Sequence, residues 1–298
     1  MTAQLADRLT GVHTIMPTPF SDDGALDLAS LERLTDFLIR LGVDGLVVLG
    51  VLGEAPKLSQ AEQEQVIATT VAAAAGRVPV LAGTGAAGTQ LAVERSAAAI
   101  AAGAAGLLVA PPPVQNDTVI FEYYRRIDAA VGAKIVLHDY PAATGISLAP
   151  ALVLRLHTEL GGVGAIKLEE SPSAPKVSAL RAASRSLSIV GGLGGLYLIE
   201  ELGRGADGIM TGFSYPEVLI EVYRAHAAGD LPRARAAFYK AAPLLRFEFQ
   251  PGIGLALRKE VYRRRGAIAS AHVRHPGAQI DAQLAAELDA ALFGSGLA

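Results

Sequence analysis

Short apolar runs alternate with longer helix-like segments along most of the chain. The runs fall at 12–16, 45–49, 78–82, 106–110, 134–138, 163–167, 187–191 and 207–211, and most are continuous stretches rich in Val, Ile and Leu. Parallel strands covered on both faces need that pattern. Between them, 28–41, 59–75, 88–102, 117–131, 148–159, 173–184 and 195–203 read as helices, with an eighth near 215–228. Ser59 and Glu62 form a capping-box pair opening the second helix. Eight strands alternating with helices predict an α/β chain closed into a (β/α)8 TIM barrel over 1–228, rather than an open sheet. Residues 229–298 exceed what the barrel needs. They predict a C-terminal helical extension packed on it, with no Ser/Pro-rich linker between.

Composition narrows the function classes. The chain has 298 residues, 51% hydrophobic and 18% charged, with a formal net charge of −3, so it carries no nucleic-acid footprint. The one locally basic stretch, Arg258 to Arg265, reads as a solvated helix face. Cysteine is absent, which removes disulfides and thiolate metal sites and fits a reducing compartment. Residues 1–13 lack a cationic segment followed by an apolar one, so no signal peptide is expected. The expectation is cytoplasmic. The uncharged run 97–114 is long enough to span a membrane. However, it is mostly Ala and Gly and ends in Pro111, Pro112 and Pro113. A helix end, a tight turn and a buried strand explain it better.

Barrel enzymes place their chemistry at the C-terminal ends of the strands. Lys167 ends the sixth apolar run, in GVGAIKLEES at 162–171. Burial favours the neutral amine, a nucleophile that forms Schiff bases with carbonyls. The alternative is a lysine that snorkels out at a strand end. Alternation puts Lys167 on one face with Ala165 and Val163, and His138 with Val136. Glu169 shares that parity if the strand continues, and otherwise faces solvent. His138 and Asp139 end the fifth strand, where they can relay protons or form a structural pair.

Four further motifs carry weaker signals. GVLGEA at 50–55 follows the second strand, and its backbone N–H groups suit a carboxylate; Glu54 either takes part or shapes the loop. GTGAAG at 83–88 matches a dinucleotide fingerprint literally but lacks the acidic residue about 20 positions on. A tight turn is the better reading. GGLGG at 191–195 suits either a tight turn or a close backbone approach to a ligand, phosphate included. No histidine has metal-ligand spacing except His272 and His275, read as surface, and no G-x-S-x-G elbow is present.

Pro17-Thr18-Pro19-Phe20, GVLGEA, AGTGA at 82–86, YPAATG at 140–145 and Ile166-Lys167 resemble the dihydrodipicolinate synthase/N-acetylneuraminate lyase family in order and spacing. QPGIGLALRK at 250–259 resembles its C-terminal helical segment. The resemblance implies a barrel with extra helices, usually a homotetramer, and Lys167 as the Schiff-base lysine toward pyruvate or another 2-oxo acid. Departures are equally plain. The threonines of the family's G-T-T-G-E are Val51 and Leu52, and its catalytic tyrosine is His138. The interface tyrosine falls at Pro112, and the arginine that clamps the aldehyde partner is Ala143. The expected catalytic set is Lys167, His138, Asp139 and Glu169. The expected substrate contacts are Thr18, Leu52, Gly53, Glu54, Gly192 and Met210. No metal and no cofactor are expected.

The resulting expectation is a class I lyase that cleaves, condenses or dehydrates a 2-oxo-3-deoxy sugar acid. It is expected to act as a homo-oligomer, tetramer or dimer, without nucleic-acid or membrane partners. The alternatives are a synthase-like condensation of pyruvate with an aldehyde, and a non-catalytic 2-oxo-acid-binding barrel.

Overall fold

The computed structural model describes residues 4–297. Eight parallel strands close into a barrel in chain order: β1 (Gly11–Ile15), β2 (Gly45–Val48), β3 (Val80–Gly83), β4 (Gly106–Val109), β5 (Ile135–Asp139), β6 (Val163–Leu168), β7 (Ser188–Gly191) and β8 (Gly208–Thr211). β8 pairs back onto β1. The surrounding helices are α1 (Leu28–Leu41), α2 (Gln60–Ala74), α3 (Thr89–Ala101), α4 (Asp117–Val131), the short α5 (Pro141–Thr144), α6 (Pro150–Glu159), α7 (Ser173–Ala183), α8 (Leu198–Gly203) and α9 (Pro216–Ala227). Beyond the barrel follow α10 (Leu231–Glu248), α11 (Gly254–Arg264) and α12 (Ala282–Gly294). The capping box of Ser59 and Glu62 forms at the start of α2.

The interior of the barrel is a packed layer. Ile15, Val47, Leu81, Leu108, Val136, Ala165, Val190 and Met210 come one from each strand, with Leu9 packed among them. Met210 is fully buried there, so the expected substrate contact is a core residue beneath the site. The outward faces of the strands meet the helices in a second, larger apolar core.

Register decides which side chains reach the open end. β5 and β6 pair Ile135 with Val163 but Val136 with Ala165, which leaves Gly164 as an extra residue. This bulge breaks the alternation. Val163 therefore joins the outer core, while Ala165 points inward. The expected shared face of Val163 and Lys167 is overturned; that of Ala165 and Lys167 holds.

The glycine motifs have packing causes. A Cβ at Gly83 would lie 2.2 Å from the Leu49 carbonyl oxygen, and one at Gly85 2.8 Å from the Ala110 nitrogen. Neighbouring backbone fills the space that a dinucleotide would need. In GGLGG, Gly192 leaves room for Glu169. Gly194, at φ 67°, leaves room for Phe249 at the end of α10. The close approach is made by this chain's own side chains. In the 97–114 run, α3 ends and β4 begins, and among the described residues no helix is long and apolar enough to cross a membrane.

An ionic hub ties the loop after β2 to the chain beyond α10. Glu54, in the left-handed conformation, is buried and accepts from Lys259 at 2.6 Å, Lys57 at 2.8 Å and the Arg274 N–H at 3.1 Å. Burial pushes the fully buried Lys259 ammonium down to about 8, against the pull of Glu54. Breaking a buried pair leaves an uncompensated charge. Lys259→Met is expected to lower stability by about 3 kcal/mol, read as a shift of the urea midpoint. An unchanged midpoint would show that apolar packing alone holds this segment.

Candidate active site

A cavity of about 660 Å³ opens at the C-terminal end of the barrel. Its wall includes Ile15, Leu52, Lys167, Glu169, Thr211 and Gly212 from the strand ends, Tyr140 from the β5 loop, and Arg258 from α11. The expected lysine is therefore inside a pocket. It is 5% exposed, so it does not snorkel out.

Two groups converge on Lys167. Its Nζ lies 2.5 Å from Glu169 Oε2 and 3.3 Å from His138 Nε2. His138 Nε2 is in turn 2.8 Å from the same Glu169 oxygen. The inward parity of β5 and β6 brings all three together, because His138 pairs directly with Lys167 across the sheet. The Glu169 N–H donates to the Asp139 carbonyl at 2.8 Å, which carries the pairing one residue past β6. Its Oε1 accepts the Leu193 N–H at 2.8 Å, over the bare Cα of Gly192. Burial alone would raise the Glu169 carboxyl, but the Lys167 charge and the His138 contact outweigh it and bring it down to about 2. Burial and the neighbouring Lys167 charge push His138 below its ordinary value. At neutral pH the site thus holds a carboxylate and a neutral imidazole beside the lysine.

The remaining expected residues are placed elsewhere. Asp139 points outward from β5 and is buried against Lys176 of α7 at 2.6 Å, with the Leu148 N–H on its other oxygen. Strand alternation sends adjacent residues to opposite faces, so His138 and Asp139 cannot both reach the pocket. The hydroxyl of Thr18 donates to the Gly53 carbonyl at 2.7 Å and braces the loop. The amides of Gly53 and Glu54 are engaged with Gly50 and Val51 in a 3-10 turn, and the Glu54 side chain belongs to the ionic hub. Of that loop, Val51 and Leu52 line the cavity. Gly192 supports Glu169 rather than the substrate.

Two residues were missed. Tyr140 lines the cavity, and its ring stacks on His138 with centroids 5.9 Å apart. Its position just after β5 was the available signal. Arg258 is 5% exposed, which overturns the solvated reading of its part of the basic stretch. α11 is buried on nearly every side, and its charges are matched by buried carboxylates. No signal of amphipathic spacing could separate it from a surface helix. Among the described residues no cluster of three or more His, Asp and Glu is arranged to hold a metal.

Residues 8–293 match the dihydrodipicolinate synthetase family. The chain belongs to that family. It is similar to an L-2-keto-3-deoxyarabonate dehydratase of Azospirillum brasilense, 33% identical over 297 residues and covering 97% of this chain and 95% of that protein. Among solved structures, it is similar to a dihydrodipicolinate synthase of Rhodopseudomonas palustris, with a TM-score of 0.94 and 36% identity. That match covers 98% of this chain and all of the other. It is also similar to a prophage protein of the family from E. coli K12 in complex with pyruvate, with a TM-score of 0.91 and 27% identity over 97% and 99% of the two chains. Dehydratase and synthase relatives therefore share this barrel.

Behind the site, Glu201 of α8 is fully buried and accepts from Ser173 at 2.5 Å, while its Oε2 has no partner among the described residues. Burial raises its carboxyl from 4.5 to about 7. The folded chain keeps a proton that the unfolded chain releases, so this contribution is complete below about 4.5 and is lost as pH rises to about 7. Glu201→Gln removes the titration. Relative to wild type, it should gain about 3 kcal/mol between pH 4 and pH 8, measured by denaturation at both pH values. A constant difference would refute the buried-carboxyl account.

Proposed function

We propose that this lyase forms a Schiff base between Lys167 and a 2-oxo acid, and that its reaction is the dehydration of a 2-oxo-3-deoxy sugar acid. The observation that carries the reading is the contact of Lys167 with both Glu169 and His138 at the pocket floor. His138, depressed and uncharged, takes the ammonium proton and frees the amine. The amine attacks C2, and the His138 imidazolium gives its proton to the departing hydroxyl, which leaves as water and restores the neutral imidazole. Glu169 then faces the iminium charge that replaces the ammonium, so the carboxylate keeps a cation beside it throughout.

The iminium acts as an electron sink. Loss of a C3 proton to His138 gives an enamine, which expels the C4 hydroxyl. That hydroxyl needs a proton to leave as water. Tyr140 lines the cavity, and burial raises its phenol above the ordinary value, so it stays protonated. It is the proposed acid. Hydrolysis of the product iminium returns the lysine. The Leu52 N–H and the Thr211 hydroxyl are the donors at strand-end level for the substrate carboxylate, in place of side chains at 51 and 52.

Dehydration is favoured over synthase condensation for two reasons. The threonine relay positions are apolar, as Val51 and Leu52, and the clamp position is Ala143. A homo-oligomer and a cytoplasmic setting are carried in the same proposal. Val51, at the pocket wall and 56% exposed, is a surface that a neighbouring copy would cover.

Borohydride reduction with pyruvate should leave an adduct on Lys167, located by peptide mass spectrometry, and none in Lys167→Met. Tyr140→Phe should form the adduct as readily as wild type. Its kcat on a 2-oxo-3-deoxy sugar acid should fall about 100-fold, in keeping with the loss of a general acid. A wild-type protein that traps no 2-oxo acid would sink the Schiff-base reading. A Tyr140→Phe enzyme with full turnover would remove the tyrosine from the mechanism.

A further inference from the structure

The chemistry proposed above makes no use of Arg258. It and Lys167 are the two cationic side chains in the cavity wall. Arg258 is 95% buried by its 5% exposure. Its Nε makes no hydrogen bond among the described residues, and its ion-pair partner Glu248 lies 3.5 Å away. Glu248 is already engaged, since it accepts from the Ser214 N–H at 3.1 Å and from the Ser214 hydroxyl. A buried guanidinium with weakly filled donors is costly unless something completes it. Its planar fork suits a carboxylate, which can take two parallel hydrogen bonds.

The position of Arg258 indicates which carboxylate. The substrate's C1 carboxylate is bonded to the carbon that Lys167 attacks, and so is confined to the level of the strand ends. Arg258 comes from α11, and Glu248 ties it to Ser214, three residues past the end of β8. The guanidinium thus enters the cavity from a helix outside the barrel rather than from a strand end, and lies near enough to Tyr140 and Glu169 to interact with them electrostatically. The cavity of about 660 Å³ leaves space for a chain well beyond three carbons.

We propose that Arg258 is a specificity-determining residue that binds a carboxylate at the far end of the substrate, so that the preferred 2-oxo acids carry a second anionic group. The inference rests on the Schiff-base reading and names the substrate class for it. Glu248 and Ser214 act as positioning residues for the guanidinium.

The test is the concentration dependence of borohydride trapping on Lys167, with 2-oxoadipate and 2-oxohexanoate as a pair of equal chain length, and with pyruvate as reference. Wild type should half-saturate with the diacid at a concentration about tenfold lower than with the monoacid. Arg258→Met should erase that preference and leave pyruvate unchanged. Arg258→Lys keeps a charge opposite Glu248 and serves if the methionine variant does not fold. It should reduce the preference at least threefold by losing the fork. Equal half-saturation in wild type, or an unchanged preference in the lysine variant, overturns the proposal. An equal loss of pyruvate trapping in Arg258→Met would assign the arginine to the reacting carboxylate and also overturn it. Failure of wild type to trap pyruvate would instead remove the Schiff-base reading, and this proposal with it.

Discussion

The site depends on holding a buried lysine at the end of an apolar barrel. Bringing Lys167 out of water costs several kcal/mol, and the layer beneath it presents the apolar side chains of Ala165, Val136 and Val190. Glu169 is the compensation, 2.5 Å away. Much of the local structure serves to hold that carboxylate. Gly192 has no side chain because Glu169 lies where one would be, and the Leu193 amide fixes its second oxygen. The bulge at Gly164 sets the register that puts Lys167 opposite His138. The result is a preorganised proton network, with one carboxylate oxygen shared by a lysine and a histidine.

The C-terminal extension is part of the site rather than an appendage to the barrel. Phe249 packs where Gly194 leaves room, the turn after α10 forms a wall of the cavity, and α11 supplies Arg258. The buried charges of α11 explain how this attachment is specific. Lys259 reaches Glu54 on the β2 loop, and Arg258 faces Glu248. Nonpolar contact alone tolerates sliding, whereas each of these pairs requires one placement. Arg274 adds a second tie, to Glu62 at the start of α2, and lies over the Phe20 ring. The loop that carries Val51 and Leu52 is thereby positioned from both sides.

The pair His138–Asp139 shows how strongly parity sorts function from structure. Both are buried and polar at the end of one strand, but one touches the lysine, and the other anchors α7 through Lys176. Asp139 sits in a second ionic cluster with Glu170 and Lys176, which fixes the end of β6 from outside. Two charge networks therefore flank the same pair of strands, one facing the pocket and one facing the helices.

The order of apolar runs and amphipathic segments was enough to specify the barrel, because parallel strands covered on both faces and the helices between them leave a periodic record. It also singled out Lys167, since an ammonium in an apolar run is a local anomaly. It left Glu169 open between pocket and solvent, and it misjudged Val163, because a one-residue bulge leaves no composition signal and reverses facing. Asp139, Thr18 and Glu54 sit beside the site in sequence, yet their partners, Lys176, Gly53 and Lys259, lie up to 205 positions away. Arg258 was hidden for the same reason. A charged helix reads as solvated until the carboxylates that bury it are known, and those are brought to it only when the chain closes.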